Sequence, residues 1–328
     1  MTVTTRGRVV GLLLGALLPV LGLLAPAHAD EPPAPTPNGT TSSSGQLPVT
    51  WNATAWLPGL LGRTLVPGWH PPGSNDPDCQ LTPARPRPVV LVNFTIGSGW
   101  EWGAGSPFLA NNGFCVRNFT YGNVTPLPNF PLQALGDIEK SARELAAYVD
   151  RVRAEFGVAK VDLVGWSQGG GMTPHYYINF LGGADEVHTF IGIAPGNHGS
   201  DVNGVVRPTT LGPVWQLLLR PFLPALAQQI TGSELERRIY GDGDTRPGPR
   251  YVTIVTQHDE IATPYTSQFL DGPGVTNILL QDGCPADQSE HLSIGVSRRT
   301  WGFVLNELAP AEAAPVPCIP VLPLWGSN

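Results

Sequence analysis

The chain has 328 residues, a formal net charge of −7 and only 14% charged residues. The acidic balance argues against nucleic acid as a partner, and the low charged fraction excludes an extended disordered protein. The length fits a single α/β domain, while 39 glycines and 35 prolines indicate long ordered loops around a compact core.

The N-terminal segment has the features of a secretory signal peptide. Arg6 and Arg8 precede an apolar run, and a small-residue cleavage site ends at Ala29. A membrane anchor is the alternative, but the run is short for a membrane span and Pro19 interrupts it. We therefore expect residues 1–29 to be cleaved and the protein to be secreted, without a transmembrane anchor.

A flexible lead and one folded domain are expected after the cleavage site. Residues 30–46 are rich in proline, serine and threonine, and they lack the large apolar groups that a core needs. Residues 47–328 form the predicted domain. Its first part, 47–87, contains three tryptophans among many prolines, and we expect irregular chain packed against the rest.

Strands and helices then alternate along the chain. Apolar runs predict strands at 88–94, 113–121, 161–166, 187–194, 250–257 and 276–281. Apolar residues at steps of three and four predict a long helix over 135–156, capped by Gly157. Further helices are expected directly after the 161–166 strand and over 292–308. This alternation is typical of a mainly parallel sheet covered by helices on both faces, a three-layer α/β fold.

The segment GWSQG, residues 165–169, has the pattern of a nucleophile elbow. Ser167 lies between two glycines, directly after a β-forming run and before a helical segment. A sharp strand-to-helix turn of this kind exposes the serine hydroxyl and requires close backbone approach at the glycines. Because G-x-S-x-G also occurs by chance in a glycine-rich chain, the interpretation depends on partners elsewhere.

Those partners follow two later strands. Asp259 comes directly after the 250–257 strand, and His291 lies in the loop after the 276–281 strand. Parallel sheets place their chemistry beyond the carboxyl ends of the strands, and the order Ser, acid, His is that of a triad on this fold. His291 would accept the proton of Ser167, and Asp259 would orient the imidazole and stabilise its charged form.

Other residues compete for the acid and base positions. Glu260 and Asp282 are alternatives to Asp259. The remaining histidines beyond the signal segment are His70, His175, His188, His198 and His258. His175 on the elbow helix and His188 at a strand start are interpreted as structural, whereas His198 could line the pocket.

A developing oxyanion needs two backbone N–H donors. The residue after the nucleophile, Gln168, is expected to supply one. The loop after the first core strand should supply the other, and within it we choose Thr95.

The four cysteines, Cys79, Cys115, Cys284 and Cys318, suggest two disulfides in an oxidising exterior. Three pairings are possible. We predict Cys79–Cys115, which would join the chain before one core strand to the next strand. We also predict Cys284–Cys318, which would tie the chain end over the loop that carries His291. A metal site of four thiolates is disfavoured because no CxxC pair exists, and no metal site is predicted. The turn GDGD at 241–244 is interpreted as a polar turn rather than a calcium site.

A long connection, about 196–249, separates two predicted strands and is a possible cap insertion. Its segment 211–230 is strongly apolar, and its prolines divide it into short helical pieces. It must pack on the core, cover the pocket or meet a lipid surface. The candidate pocket residues are Phe94, Trp166, Leu218 and Phe222.

With these motifs the chain resembles the class 2 family of secreted bacterial triacylglycerol lipases, which have the α/β-hydrolase fold. The segments that carry the resemblance are PVVLVNFT, GFCVRNFTYG, VDLVGWSQGGGMTPHYYINFLGG, TQHDEIATPYTSQFL and DQSEHLSI, within residues 79–310. The resemblance implies that Ser167, Asp259, His291 and Thr95 are functional. The first loop of the family usually has glycine where this chain has Phe94, a bulky side chain that narrows the pocket or shifts the Thr95 donor.

The sequence therefore predicts a secreted serine hydrolase that cleaves fatty acyl esters, or lipids at a lipid–water interface, and needs no cofactor. The preference for lipid esters depends on the resemblance, since a triad serves many acyl acceptors. Polyester hydrolysis and acyl transfer to an alcohol or sugar are alternatives, and so is a binding protein on an inactive hydrolase scaffold.

Overall fold

The computed structural model describes residues 45–127, 130–206, 209 and 211–327. The predicted signal peptide and nearly all of the predicted lead lie outside these residues. Within the described part of the chain, no helix is long and apolar enough to cross a membrane.

The centre of the domain is a six-stranded sheet in which every neighbouring pair of strands is parallel. Its strands are β1 (Val89–Val92), β2 (Val116–Asn118), β3 (Val161–Trp166), β4 (Val187–Ile193), β5 (Arg250–Val255) and β6 (Val275–Leu279), in the order β2-β1-β3-β4-β5-β6. All six predicted strands are present, most of them shorter than expected. The order reverses between β1 and β3, which are neighbours, so the first loop after β1 and the elbow after β3 lie side by side.

Nine helices of the described residues accompany the sheet: α1 (Leu57–Leu65), α2 (Gly105–Asn111), α3 (Ile138–Phe156), α4 (Met172–Phe180), α5 (Gly183–Glu186), α6 (Gly212–Leu219), α7 (Pro224–Gln228), α8 (Glu234–Tyr240) and α9 (Arg298–Leu308). Side chains of α3, α4, α7 and α8 pack on one face of the sheet. Those of α1, α2 and α9 pack on the other face. The predicted three-layer architecture is confirmed.

The long helix α3 shows how local sequence sets an element. Asp137 caps its start by accepting a hydrogen bond from the N–H of Lys140, and Gly157 ends it with φ 64°. The apolar side chains of the predicted stripe, from Ile138 to Val152, are buried against the sheet. The prediction was therefore correct in type and face, and wrong by three residues at the N-terminus.

The expectation of irregular chain over 47–87 was wrong in part, because α1 lies within it. Its glycines allow close packing: a Cβ at Gly59 would lie 2.7 Å from the Cα of Trp100, and one at Gly62 would lie 2.2 Å from Trp69 Nε1. In the sequence these glycines and Pro58 look like helix breakers, which concealed the helix.

The chain end forms a short antiparallel ribbon, β7 (Val321–Leu322) and β8 (Gly326–Ser327). Two disulfides are present, with the predicted pairings Cys79–Cys115 and Cys284–Cys318. The second bond fastens the chain just before the ribbon to the loop that follows β6.

Candidate active site

The turn after β3 is a strained elbow that only small residues allow. Ser167 has φ 56°, a left-handed conformation that L-residues seldom adopt. A Cβ on Gly165 would lie 1.7 Å from the carbonyl oxygen of Gly169, and a Cβ on Gly169 would lie 2.2 Å from that of Val92. The two glycines of the motif are therefore required by the close approach of neighbouring backbone.

The three residues of the predicted triad lie in one hydrogen-bonded chain. Ser167 Oγ is 2.9 Å from His291 Nε2, and His291 Nδ1 is 2.7 Å from Asp259 Oδ2. All three residues are buried, with exposures of 7%, 3% and 7% for Ser167, His291 and Asp259. They come from the loops after β3, β6 and β5, at the carboxyl edge of the sheet.

The carboxylate of Asp259 is held firmly in its loop. Its Oδ1 accepts hydrogen bonds from the N–H groups of Ile261 and Ala262, at 2.9 and 2.8 Å. Its Oδ2 accepts a further bond from Gln268 Nε2 at 2.9 Å, beside the bond to His291. This geometry fixes the direction from which the acid approaches the imidazole.

The competing acids lie elsewhere. Asp282 is exposed. Among the described residues, the buried oxygen Oε2 of Glu260 has no hydrogen-bond partner. Burial, with the charges of Glu290 and Asp259, raises the pKa of Glu260 to about 7.

The charges around His291 favour its protonated form. Burial alone would lower the pKa of His291, but the carboxylates of Asp259, Glu260 and Glu290 outweigh burial, and the pKa is raised. An imidazolium formed during a reaction is therefore stabilised at this place.

Other histidines make separate contacts. His198 Nε2 is 2.9 Å from Asp244 Oδ1, within the GDGD turn, and His188 Nδ1 is 3.1 Å from Asp162 Oδ1. His175 is fully buried among aromatic rings, and burial lowers its pKa to about 3. Among the described residues there is no group of three or more His, Cys, Asp or Glu side chains that could hold a metal ion.

The two candidate oxyanion donors come from neighbouring loops. Gln168 is buried in the 3₁₀ turn Ser167–Gly170 that directly follows β3. Thr95 follows β1, and its hydroxyl donates to Gln168 Oε1 at 3.1 Å and accepts from Gln229 Nε2 at 3.0 Å. The side chains of these residues are therefore linked in one polar cluster beside Ser167.

Gln229 was not among the residues singled out in the sequence. It follows α7 and reaches Thr95 from the long insertion, across 134 positions of the chain. A glutamine in an apolar segment carries no signal that separates it from the neighbouring Gln228, which instead bonds Asp137 and the N–H of Ile138.

A cavity of about 230 Å³ opens beside Ser167 and His291. Most of its wall is apolar. The lining residues are Phe94, Thr95, Ile96, Ser167, Gly196, Gly199, Ser200, Val202, Leu226, Gln229, Ile230, Ile261, Ala262, His291 and Leu292. Residues of the insertion thus form one wall, and Phe94 lines the pocket as proposed from the sequence.

Three of the candidate pocket residues are corrected. Trp166 is fully buried beneath the site, where it packs on Phe94 and donates from Nε1 to the carbonyl of His291 at 3.0 Å. Leu218 and Phe222 are 58% and 49% exposed and do not line the cavity. These two side chains are directed outward, and Leu226, further along the same segment, lines the cavity instead.

Comparison with known proteins identifies the fold. No protein-family model matches the chain, and no curated protein matches it. Lipase B of Aspergillus fumigatus has a TM-score of 0.57 and 22% identity, over 76% of this chain and 56% of that one. This chain therefore spans just over half of that lipase.

A second solved structure, the mature lipase BlEst2 of Bacillus licheniformis, has a TM-score of 0.53 and 19% identity, over 71% of this chain and 96% of that one. Likeness at these identities shows the fold, and the chain has the α/β-hydrolase fold. The narrower resemblance to class 2 bacterial lipases stays a prediction.

Proposed function

We propose that the protein is a secreted serine hydrolase that cleaves carboxylic esters with apolar acyl groups. The observation that carries the proposal is the chain of hydrogen bonds from Ser167 through His291 to Asp259, beside an apolar cavity. Two disulfides support an oxidising compartment, because such bonds seldom persist in the cytosol.

In the proposed reaction, Ser167 Oγ attacks the ester carbonyl while its proton passes to His291 Nε2. Asp259 holds the other ring nitrogen and stabilises the imidazolium. The oxyanion would lie near the N–H groups of Gln168 and Thr95. In comparable enzymes each such donor lowers the reaction barrier by roughly 3 kcal/mol. His291 then protonates the leaving alcohol, and the acyl group remains on Ser167.

Deacylation repeats these steps with water. His291 takes a proton from the water as the water attacks the acyl carbon, and returns that proton to Ser167 Oγ when the acid leaves. The apolar wall formed by Phe94, Leu226 and Ile261 supports an aliphatic acyl group as substrate, because contact between the two removes apolar surface from water and so lowers the free energy.

The test combines covalent labelling with substrate profiling. A fluorophosphonate probe should label the wild-type protein at Ser167, and 4-nitrophenyl esters of increasing acyl length should be hydrolysed alongside emulsified triacylglycerol. Absence of both labelling and ester hydrolysis in the folded protein would contradict the proposal and favour a binding protein on this scaffold.

A further inference from the structure

Glu290, the residue before His291, has a buried carboxylate that makes three hydrogen bonds to backbone N–H groups. Its Oε2 accepts from Leu292 at 2.6 Å, and its Oε1 accepts from Ser293 at 2.9 Å and from Leu324 at 2.8 Å. Glu290 is 5% exposed. Bonds from amides to a carboxylate are about twice as strong as neutral ones, so this group strongly restrains the chain around it.

Two of these bonds fix the turn directly after His291. The carbonyl of His291 is held from the other side by Trp166 Nε1 at 3.0 Å. The main chain that carries the imidazole is thus restrained by the core beneath it and by Glu290 beside it. Positional accuracy matters here, because a misplacement of about 1 Å in a catalytic group can cost roughly 100-fold in rate.

The third bond reaches the chain end. Leu324 lies in the turn of the terminal ribbon, between β7 and β8. The same ribbon pairs with the loop before His291, where the N–H of Gln288 donates to the carbonyl of Val321 at 3.1 Å. The Cys284–Cys318 disulfide joins the two segments at their start. The ribbon and the His291 loop therefore lie side by side, and Glu290 connects the ribbon to the turn that follows His291.

We propose that Glu290 is a positioning residue for His291 and that, through it, the C-terminal ribbon supports the active site. This inference rests on the proposed serine hydrolase function. Nothing in the proposed chemistry requires Glu290 to touch the substrate, since the residue acts through the backbone of His291.

The charge of Glu290 gives the proposal a second readout. The carboxylates that raise the pKa of His291 are Asp259 and Glu260, from the loop after β5, and Glu290 from its own loop. The neutral imidazole is the base, so activity falls at acidic pH as His291 becomes protonated. Removing the Glu290 charge lowers the His291 pKa, and the acidic limb of the kcat/KM profile should move to lower pH.

The experiment compares Glu290→Gln with Glu260→Gln. Because the pKa of Glu260 is raised to about 7, this carboxyl is largely neutral along the acidic limb, so Glu260→Gln should move that limb less than Glu290→Gln does. In Glu290→Gln, an amide NH₂ would face one of the three backbone donors, so kcat should fall about tenfold or more while KM stays within about twofold. Glu260→Gln should keep kcat near the wild-type value, because Glu260 Oε2 has no hydrogen-bond partner in the described part of the chain.

A second pair of variants covers the case in which Glu290→Gln fails to fold. Removing Cys284–Cys318 with paired serines loosens the ribbon, and removing Cys79–Cys115 is a matched control, since the two bonds span 34 and 36 positions. Circular dichroism would confirm folding of each variant. We expect kcat to fall only when the Cys284–Cys318 bond is removed.

The outcomes separate the two proposals. A wild-type protein with no Ser167-dependent labelling or hydrolysis overturns the proposed function, and this inference with it. An active wild type beside a folded Glu290→Gln variant with unchanged kcat overturns the inference alone. Equal kcat losses in both disulfide variants would do the same.

Discussion

At the carboxyl edge of the sheet, Ser167, His291 and Asp259 are at most 7% exposed, whereas Leu217 and Leu218 of the insertion are 75% and 58% exposed. The first region is buried, and each polar atom of its triad has a hydrogen-bond partner. The second presents large apolar side chains to the surroundings. Because burial with fixed hydrogen bonds suits chemistry and exposed apolar surface suits contact, the two regions are suited to different tasks.

The largest expected effect tests the first region. Ser167→Ala should lower kcat by at least 1,000-fold, because the nucleophile is lost while binding and the oxyanion donors remain. The thermal midpoint should change little, since the change removes one hydroxyl. Initial rates on a 4-nitrophenyl ester, with fluorophosphonate labelling, measure the loss. A variant that keeps a tenth of the wild-type rate would show that Ser167 is not the nucleophile.

Asp259→Asn should come next, with a loss in kcat of about 1,000- to 10,000-fold. An amide in place of the carboxylate directs a donor at His291 Nδ1 and selects the wrong tautomer. Asp282→Asn is the control, since Asp282 is exposed and lies outside the hydrogen-bonded chain. Rates of both variants, measured across pH, would show the loss of kcat in Asp259→Asn and its absence in Asp282→Asn. Near-normal turnover in Asp259→Asn would transfer the acid role to another carboxylate.

The difference between the regions also explains what the sequence could predict. The elbow was located because a Cβ at Gly165 or Gly169 would lie only 1.7 or 2.2 Å from a carbonyl oxygen, so both positions require glycine and leave a recognisable pattern. Asp259 and His291 could be chosen because strands of a parallel sheet end at one edge. Both disulfides followed from the same reasoning about which segments are neighbours.

The direction of single side chains in irregular chain could not be predicted. Trp166, Leu218 and Phe222 were assigned to the pocket from their position and polarity alone, and the structure turns all three elsewhere. Gln229 and Glu290 depend on contacts with partners 134 and 34 positions away, to which no periodic pattern points.

Gln229 is the place where the insertion meets the polar cluster of the first region. Gln229→Leu would leave the hydroxyl of Thr95 without its donor, and we expect kcat to fall about tenfold, or about 1.4 kcal/mol of barrier. Gln228→Leu is the matched control, because its bonds to Asp137 and Ile138 lie away from the cavity. It should lower the thermal midpoint and leave kcat unchanged. Equal kcat values in the two variants would remove Gln229 from the site.

The smallest effect on chemistry is expected in the exposed part of the insertion. Leu218→Ser with Phe222→Ser should leave kcat on a soluble short-chain ester within about twofold. Exposed side chains contribute little to folding, so the unfolding free energy should change by no more than about 0.5 kcal/mol. Hydrolysis of emulsified triacylglycerol should fall severalfold, because less apolar surface is available to adsorb at the lipid surface.

The control for this last variant lies on the opposite face of the sheet. Leu57 and Leu61 of α1 are 58% and 55% exposed, close to the 58% and 49% of Leu218 and Phe222. Replacing Leu57 and Leu61 with serine removes a similar exposed apolar area at a site that is distant in sequence from the insertion. If both double variants lose emulsion activity equally, general surface hydrophobicity controls adsorption. If the insertion variant loses soluble-ester activity together with thermal stability, these side chains pack in the core and the contrast between the two regions fails.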